Sequence, residues 1–158
     1  MEDKSIRVSK GAGHEAKRQG TPLLYLLLTI SYMAGIYWLS SIPGEVDPES
    51  PLLSGIIAWT PPALQNLLHI PLFGILAWLW YRTLDAWNMQ HQLSLTTAFL
   101  LAAGFGVFDE WHQLHVPGRY ASFTDIALDC AGVVLALWWV HRGTHRKAYP
   151  ETGSRPNG

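Results

Sequence analysis

The chain has 158 residues, about the size of one domain, with 49% apolar residues, 15% charged residues and a formal net charge of −1 at pH 7. The charged residues cluster at the two ends and between long apolar blocks, and this distribution excludes a soluble domain. The single cysteine, Cys130, excludes an intrachain disulfide. No nucleic-acid partner is expected.

Four apolar blocks along the chain are long enough to cross a bilayer as helices. They cover residues 22–42, 64–81, 93–108 and 123–140. A helix of about 20 residues crosses a hydrocarbon core of roughly 30 Å. Lipid offers no partner to the backbone, so each block must be a helix or join a closed barrel, and continuous hydrophobicity argues against a barrel. We therefore predict an all-α integral membrane four-helix bundle surrounded by the lipid bilayer.

The positive charges predict which way the bundle faces. If four helices alternate in direction, the two tails and the loop carrying Arg82 take ten of the eleven Lys and Arg residues, and Arg119 alone lies on the other side. The positive-inside rule then places both termini in the cytoplasm of a cell membrane. We predict disordered cytoplasmic tails over 1–20 and 143–158, a membrane domain over 21–142, and outer loops over 44–63 and 114–122. A short apolar stretch, 52–59, is expected to lie on the outer membrane surface.

Polar residues gather at the predicted outer end of the third and fourth helices. The i,i+4 spacing of Asp109 with Gln113, and of Asp125 with Asp129, places each pair on one helix face, where the two side chains can meet. Ionisable groups at membrane depth are costly unless they are paired or face water, so such a group is a site hypothesis by default. His69 and Ser41 come from the outer ends of the second and first helices. Hypothetical catalytic residues are Glu110, Asp125 and His69, and candidate binding residues are Asp109, Gln113, Arg119, Asp129 and Ser41.

Two other interpretations of the same residues stay open. In the first, Arg119 neutralises Asp125 or Glu110 in a buried network that only ties two helices together. The second is a metal site, for which candidate ligands are Asp109, Glu110, His69 and His112. No H-E-x-x-H pattern is present, so no metal site and no cofactor is expected.

The ordered motifs of this segment resemble the VanZ-like family. They are D-E-x-x-Q from Asp109 to Gln113, P-G-R from Pro117 to Arg119, and D-x-x-x-D-x-x-G from Asp125 to Gly132. S-x-I-P at 40–43 and L-x-H-x-P-x-F-G at 67–74 agree with that family's first and second helices, and the chain departs from its usual pattern at Asn66 and Asp129. The resemblance implies a bacterial multi-pass membrane protein, in a family associated with resistance to the glycopeptide teicoplanin.

These observations support functions of two main classes. The first is an extracytoplasmic site that binds or modulates a cell-envelope ligand, such as a lipid headgroup or a cell-wall precursor. The second is a membrane-embedded hydrolase or transferase acting on a lipid-linked or phosphate-bearing substrate, with Arg119 holding a phosphate or carboxylate. A proton-coupled transporter would need a polar path to the cytoplasm, and the inner half of the third helix offers only Ser94, Thr96 and Thr97. Whether the protein is an enzyme, and its oligomeric state, stay open.

Overall fold

A computed structural model describes residues 5–44 and 62–148, which form four helices. The helices are α1 (Ser5–Ser40), α2 (Pro62–Ala86), α3 (His91–Gln113) and α4 (Phe123–Ala148). Each contains a segment long and apolar enough to cross a membrane: Pro22–Ser40, Asn66–Ala86, His91–Gln113 and Phe123–Thr144. The prediction of an all-α, multi-pass membrane protein with four spans is confirmed.

The first and last helices run further than the sequence predicted. α1 begins at Ser5 and α4 continues to Ala148, inside the segments assigned to disordered tails. Extending an existing helix adds one hydrogen bond per residue without a new nucleation cost, which accounts for the difference. The limits of the tails stay a prediction. Residues 1–4, 45–61 and 149–158, with the apolar stretch 52–59 among them, lie outside the described residues.

Short turns make neighbouring helices antiparallel. Asn88 adopts φ 58° between α2 and α3, where the Met89 amide donates to the Leu84 carbonyl at 3.2 Å. Gly118 adopts φ 71° between α3 and α4, a backbone conformation that costs glycine little. The bond from Ser40 to Asp109 places the end of α1 beside the end of α3. α1 and α3 therefore end, and α2 and α4 begin, at the same end of the bundle, which we call the polar end.

α2 is the central helix, because it packs against each of the other three. Its closest approach is to α4, where a Cβ built on Gly132 would lie 2.1 Å from the Ile70 carbonyl oxygen. Gly74 faces the same point of α4, since its Cβ would lie 3.2 Å from the Gly132 carbonyl oxygen. Small residues thus let the two helix backbones meet, as is common in membrane bundles.

The middle of the bundle is filled by apolar side chains from α2, α3 and α4. We call them the apolar layer: Phe73, Leu76, Ala77, Ala98, Ala102, Val133 and Leu137, each at most 8% exposed. Nearer the other end of the bundle, Thr29 of α1 and Thr83 of α2 share a buried hydrogen bond of 2.9 Å. The layer separates this region from the polar end.

Candidate functional site

Four buried carboxylates lie at the polar end. Asp109 and Glu110 belong to the last two turns of α3 and are 1% and 2% exposed, while Asp125 and Asp129 in the first two turns of α4 are 7% and 1% exposed. We call these four residues the carboxylate cluster. All four are sequence-predicted site residues, and α3 and α4 bring them to one depth of the bundle.

Ser122, the residue that caps the start of α4, is hydrogen-bonded to Glu110. The Ser122 hydroxyl accepts a hydrogen bond from the Thr124 amide at 3.1 Å, as an N-cap side chain does. The Ser122 amide in turn donates to Glu110 Oε2 at 2.8 Å. Asp125 lies in the first turn, where the helix dipole favours a negative charge.

Asp109 is held by two neighbours, one of them on another helix. Its Oδ2 accepts hydrogen bonds from the Ser40 hydroxyl and from Gln113 Nε2, both at 2.9 Å. The bond from Gln113 is the i,i+4 contact that the sequence spacing predicted. Ser40 ends α1, so this carboxylate ties α1 to α3.

His69, Asp129 and Glu110 form a second group, each from a different helix. His69 Nδ1 and Asp129 Oδ1 are 2.8 Å apart. One potential ligand atom from each of His69, Glu110 and Asp129 lies within 4.8 Å of the other two. The His69 ring stacks parallel to Phe73 at 6.1 Å between ring centroids, which fixes its plane. The three helices therefore converge on this group.

Arg119 is directed at the backbone of α1 and the turn that follows it. Its Nε donates to the Ile42 carbonyl at 3.1 Å and its Nη2 to the Leu39 carbonyl at 3.5 Å. Across residues 5–44 and 62–148, Arg119 forms no ion pair with a carboxylate. Burial lowers the pKa of the Arg119 guanidinium, and the nearby carboxylates of Asp109, Glu110 and Asp125 oppose that shift.

Ser41 lies beside the carboxylate cluster without touching it. Its hydroxyl donates to the Tyr37 carbonyl at 2.7 Å and lies 2.9 Å from His112 Nε2. The Tyr37 and His112 rings stack at 4.3 Å between centroids. Ser41 and His112 therefore belong to a contact between α1 and α3 at the rim of the polar end.

Each member of the carboxylate cluster has one oxygen without a hydrogen-bond partner. In the described part of the chain, six buried side-chain nitrogen or oxygen atoms lack a partner, and four of them are in the cluster: Asp109 Oδ1, Glu110 Oε1, Asp125 Oδ1 and Asp129 Oδ2. Buried polar groups are nearly always hydrogen-bonded, so such a concentration needs a reason. A network serving only to tie helices together is expected to pair most of its polar atoms.

Some of the residues that shape the site were not among the sequence-predicted site residues. Ser40 and the Ser122 amide bind two of the carboxylates, and Gly106 makes room for a third. A Cβ built on Gly106 would lie 2.8 Å from Asp129 Oδ2. The S-x-x-D spacing from Ser122 to Asp125 is a helix-start signal from which Ser122 could have been identified. The contacts of Ser40 and Gly106 cross between helices and leave no local pattern.

An apolar groove adjoins the polar group on the outer surface of the bundle. It encloses about 430 Å³ between α2 and α4, and its lining includes Ile70, Gly74, Trp78, Gly132, Leu135 and Trp139. Ile70 follows His69, and Gly132 is three residues from Asp129. Leu135 and Trp139 are 56% and 76% exposed, so this face lies open on the side that meets hydrocarbon.

Four membrane-crossing helices with buried carboxylates at one end define a multi-pass membrane protein with a polar intramembrane site. The chain belongs to the VanZ/LLP1 family, whose family model matches residues 10–142. The match covers the carboxylate cluster and all but the last residues of the fourth span, and it confirms the resemblance seen in the motifs. Among curated proteins and among solved structures, none matches the chain.

Proposed function

We propose that this VanZ/LLP1 protein binds the polar headgroup of a lipid-linked cell-envelope ligand at the polar end of the bundle, on the extracytoplasmic side of the membrane. The ligand class is one rich in hydrogen-bond donors, such as the sugar and peptide part of a cell-wall precursor. A role in glycopeptide resistance would then act through a precursor held at this site.

The unpartnered carboxylate oxygens carry this proposal. Four buried acceptors without partners, at Asp109, Glu110, Asp125 and Asp129, suit hydroxyl, amide or ammonium donors on a ligand. Hydrogen bonds to charged groups contribute about 1.5–3 kcal/mol each, and a buried group left unpaired loses that amount. Ligand binding would remove this penalty, whereas a purely structural role would leave it in place.

The charge distribution supports the extracytoplasmic side. α1 and α3 run toward the polar end, so the ends of the bundle that carry most Lys and Arg residues lie opposite it. The positive-inside rule assigns that basic side to the cytoplasm. The headgroup site would then open where cell-wall precursors are used.

The apolar groove supports a lipid-linked ligand over a free one. Its lining residues Ile70 and Gly132 lie next to His69 and three positions from Asp129 along their helices, so one end of the groove lies near the polar group. A headgroup among the carboxylates would place its hydrocarbon chain against α2 and α4. This hydrocarbon chain would replace bilayer lipid in the groove.

Binding of a polyprenyl-linked disaccharide-peptide precursor to purified protein in nanodiscs tests the proposal. We expect Asp125→Asn to weaken binding by at least about tenfold, because one charge-assisted hydrogen bond is lost. Asp85→Asn is the matched control, since Asp85 is exposed on α2 away from the polar end. Polyprenol without a headgroup measures the part contributed by the groove. Equal affinities for the two variants would contradict the proposal.

A second candidate function is catalysis on the same ligand. It is favoured by the 2.8 Å contact between His69 and Asp129 beside Glu110, since a histidine oriented by a carboxylate is a common general base. In that case Glu110 or Asp125 would act with His69 on a headgroup bond. Release of the labelled headgroup in the nanodisc assay separates the two functions, because a binding protein leaves the precursor intact.

A further inference from the structure

We propose that His69, Glu110 and Asp129 bind a divalent transition-metal ion, with Zn²⁺ as the representative. This goes beyond headgroup binding and revises the expectation of a site without metal. The three residues come from α2, α3 and α4, so the sequence separates them by 41 and 19 positions, and one ligand atom from each lies within 4.8 Å of the others.

The spacing of the ligand atoms suits an ion. Zn²⁺ binds carboxylate oxygen and imidazole nitrogen at about 2.0–2.2 Å, which places two ligand atoms of a tetrahedral site roughly 3.4 Å apart. His69 Nδ1 and Asp129 Oδ1 are 2.8 Å apart. An ion at this site therefore requires these two atoms to move apart by about 0.6 Å.

A second observation is that two of the three ligands present a free acceptor. Glu110 Oε1 and Asp129 Oδ2 have no hydrogen-bond partner, and their side chains are 2% and 1% exposed. In the described part of the chain, Asp129 contacts His69, whose ring carries a charge only when protonated, and no Lys or Arg lies within ion-pair distance of the cluster. A divalent cation would supply the missing positive charge in a medium where unpaired charge is costly.

Neighbouring groups hold the ligands as a metal site requires. Glu110 Oε2 is fixed by the Ser122 amide at 2.8 Å, which leaves Oε1 to coordinate. The His69 ring is fixed in plane by Phe73. Gly106 leaves space at Asp129 Oδ2, which a Cβ would approach to 2.8 Å. Groups of this kind orient metal ligands and commonly change affinity by about 10–100-fold.

The donor set selects among metals. One imidazole nitrogen with two carboxylates suits Zn²⁺ or Mn²⁺, whereas Mg²⁺ and Ca²⁺ prefer oxygen donors alone. Three protein ligands also leave one position open for an oxygen of the ligand. The other candidates drawn from the sequence are engaged elsewhere, Asp109 with Ser40 and Gln113, and His112 with Ser41.

Metal titration of the untagged, full-length protein in nanodiscs tests the inference without any envelope ligand. After chelator treatment and desalting, we expect calorimetry and elemental analysis to give about one Zn²⁺ per chain, with Mg²⁺ unable to displace it. Glu110→Gln and Asp129→Asn keep the side-chain shape and should each weaken Zn²⁺ binding by at least about tenfold. His115→Ala and Asp85→Asn, both at exposed positions, should leave it unchanged.

The visible spectrum of Co²⁺ bound to the protein gives a second readout, because it reports the ligand set. We expect His69→Gln to change that spectrum, even if the affinity falls only modestly. Absence of Zn²⁺ binding by the wild-type protein, equal loss in the exposed-residue variants, or displacement by Mg²⁺ would overturn the inference.

Discussion

The Arg119 side chain donates hydrogen bonds to backbone carbonyls at the polar end. The sequence predicted an arginine that neutralises a carboxylate or clamps a ligand, and the structure directs its guanidinium to the carbonyls of Ile42 and Leu39. The Gly44 amide also donates to the Pro117 carbonyl at 3.1 Å. These bonds fasten the end of α1 to the turn between α3 and α4. Arg119 thus holds the backbone around the site together and lies near the carboxylate cluster without forming an ion pair with it.

The variant Arg119→Ala is therefore expected to destabilise the fold as well as the site. Loss of a charge-assisted bond to a carbonyl should lower the free energy of unfolding by about 1.5–3 kcal/mol. Arg142→Ala is the control, because Arg142 is exposed and lies over the Trp138 ring at 4.0 Å. Thermal unfolding in detergent micelles measures both variants. A melting temperature equal to that of Arg142→Ala would show that the two carbonyl bonds contribute nothing.

Individual contacts were predictable where they lie within one helix. The spacing of Asp109 and Gln113 predicted a bond that the structure contains. The contacts of Ser40 with Asp109, and of His69 with Asp129, join residues 69 and 60 positions apart. Their formation depends on the depth and rotation of separate helices, which short-range spacing does not encode.

At the scale of the helices, the approach of α2 to α4 sets the geometry of the site. Gly132 lets the α4 backbone meet Ile70, the residue after His69, and Gly132 is itself three positions beyond Asp129. The same contact therefore brings His69 and Asp129 to hydrogen-bond distance. A change in helix separation here would be transmitted directly to the site.

Gly132→Ala tests this dependence. A methyl group 2.1 Å from the Ile70 carbonyl oxygen must push the helices apart, so we expect a loss of about 3 kcal/mol of stability, the upper end of typical overpacking costs. Gly104→Ala is matched in chemistry, because nothing lies within 4 Å of its Cβ, and should be neutral or stabilising by about 0.5–1 kcal/mol. Denaturation of both variants in the same micelles compares them. Similar stabilities would contradict a tight α2–α4 contact.

The helices were predictable because hydrocarbon leaves the backbone few alternatives. Which helices pack against each other was harder to predict. In the sequence, small residues at helical spacing, Ala102 with Gly106 and Ala127 with Ala131, predict a close approach of the third and fourth helices. Gly106 does approach α4, since its Cβ would lie 3.3 Å from the Cβ of Asp129, but Ala127 is exposed, and the tightest contact on α4 is made by Gly132 with α2. Small residues show where another helix can approach closely, but they do not show which helix it will be.

At the scale of the whole molecule, charge separates the two ends of the bundle. The polar end carries the carboxylate cluster with Arg119, and the opposite end carries Arg82 and Arg142 beside aromatic rings. This asymmetry is the basis for the proposed orientation. The proposed function depends on this orientation, because a cell-wall ligand would meet only one face of the membrane.

Cysteine labelling in intact cells tests the orientation. In a Cys130→Ser background, we expect a membrane-impermeant maleimide to label Tyr120→Cys, since Tyr120 is 85% exposed in the turn after α3. Thr144→Cys, exposed near the opposite end, should react only after the membrane is permeabilised. The reverse pattern would place the carboxylate cluster on the cytoplasmic side and remove the proposed ligand class.

The apolar layer has an electrical consequence. Phe73, Leu76, Val133 and their neighbours close the bundle between the carboxylate cluster and the opposite face. A membrane voltage falls across the part of a protein that water does not enter, at about 2.3 kcal/mol per charge and 100 mV. Under the proposed function, a cation or headgroup at the polar end would stay on one side of this layer and cross only part of that drop. Occupancy of the proposed site is therefore expected to depend mainly on the solution on that side and only weakly on the membrane voltage.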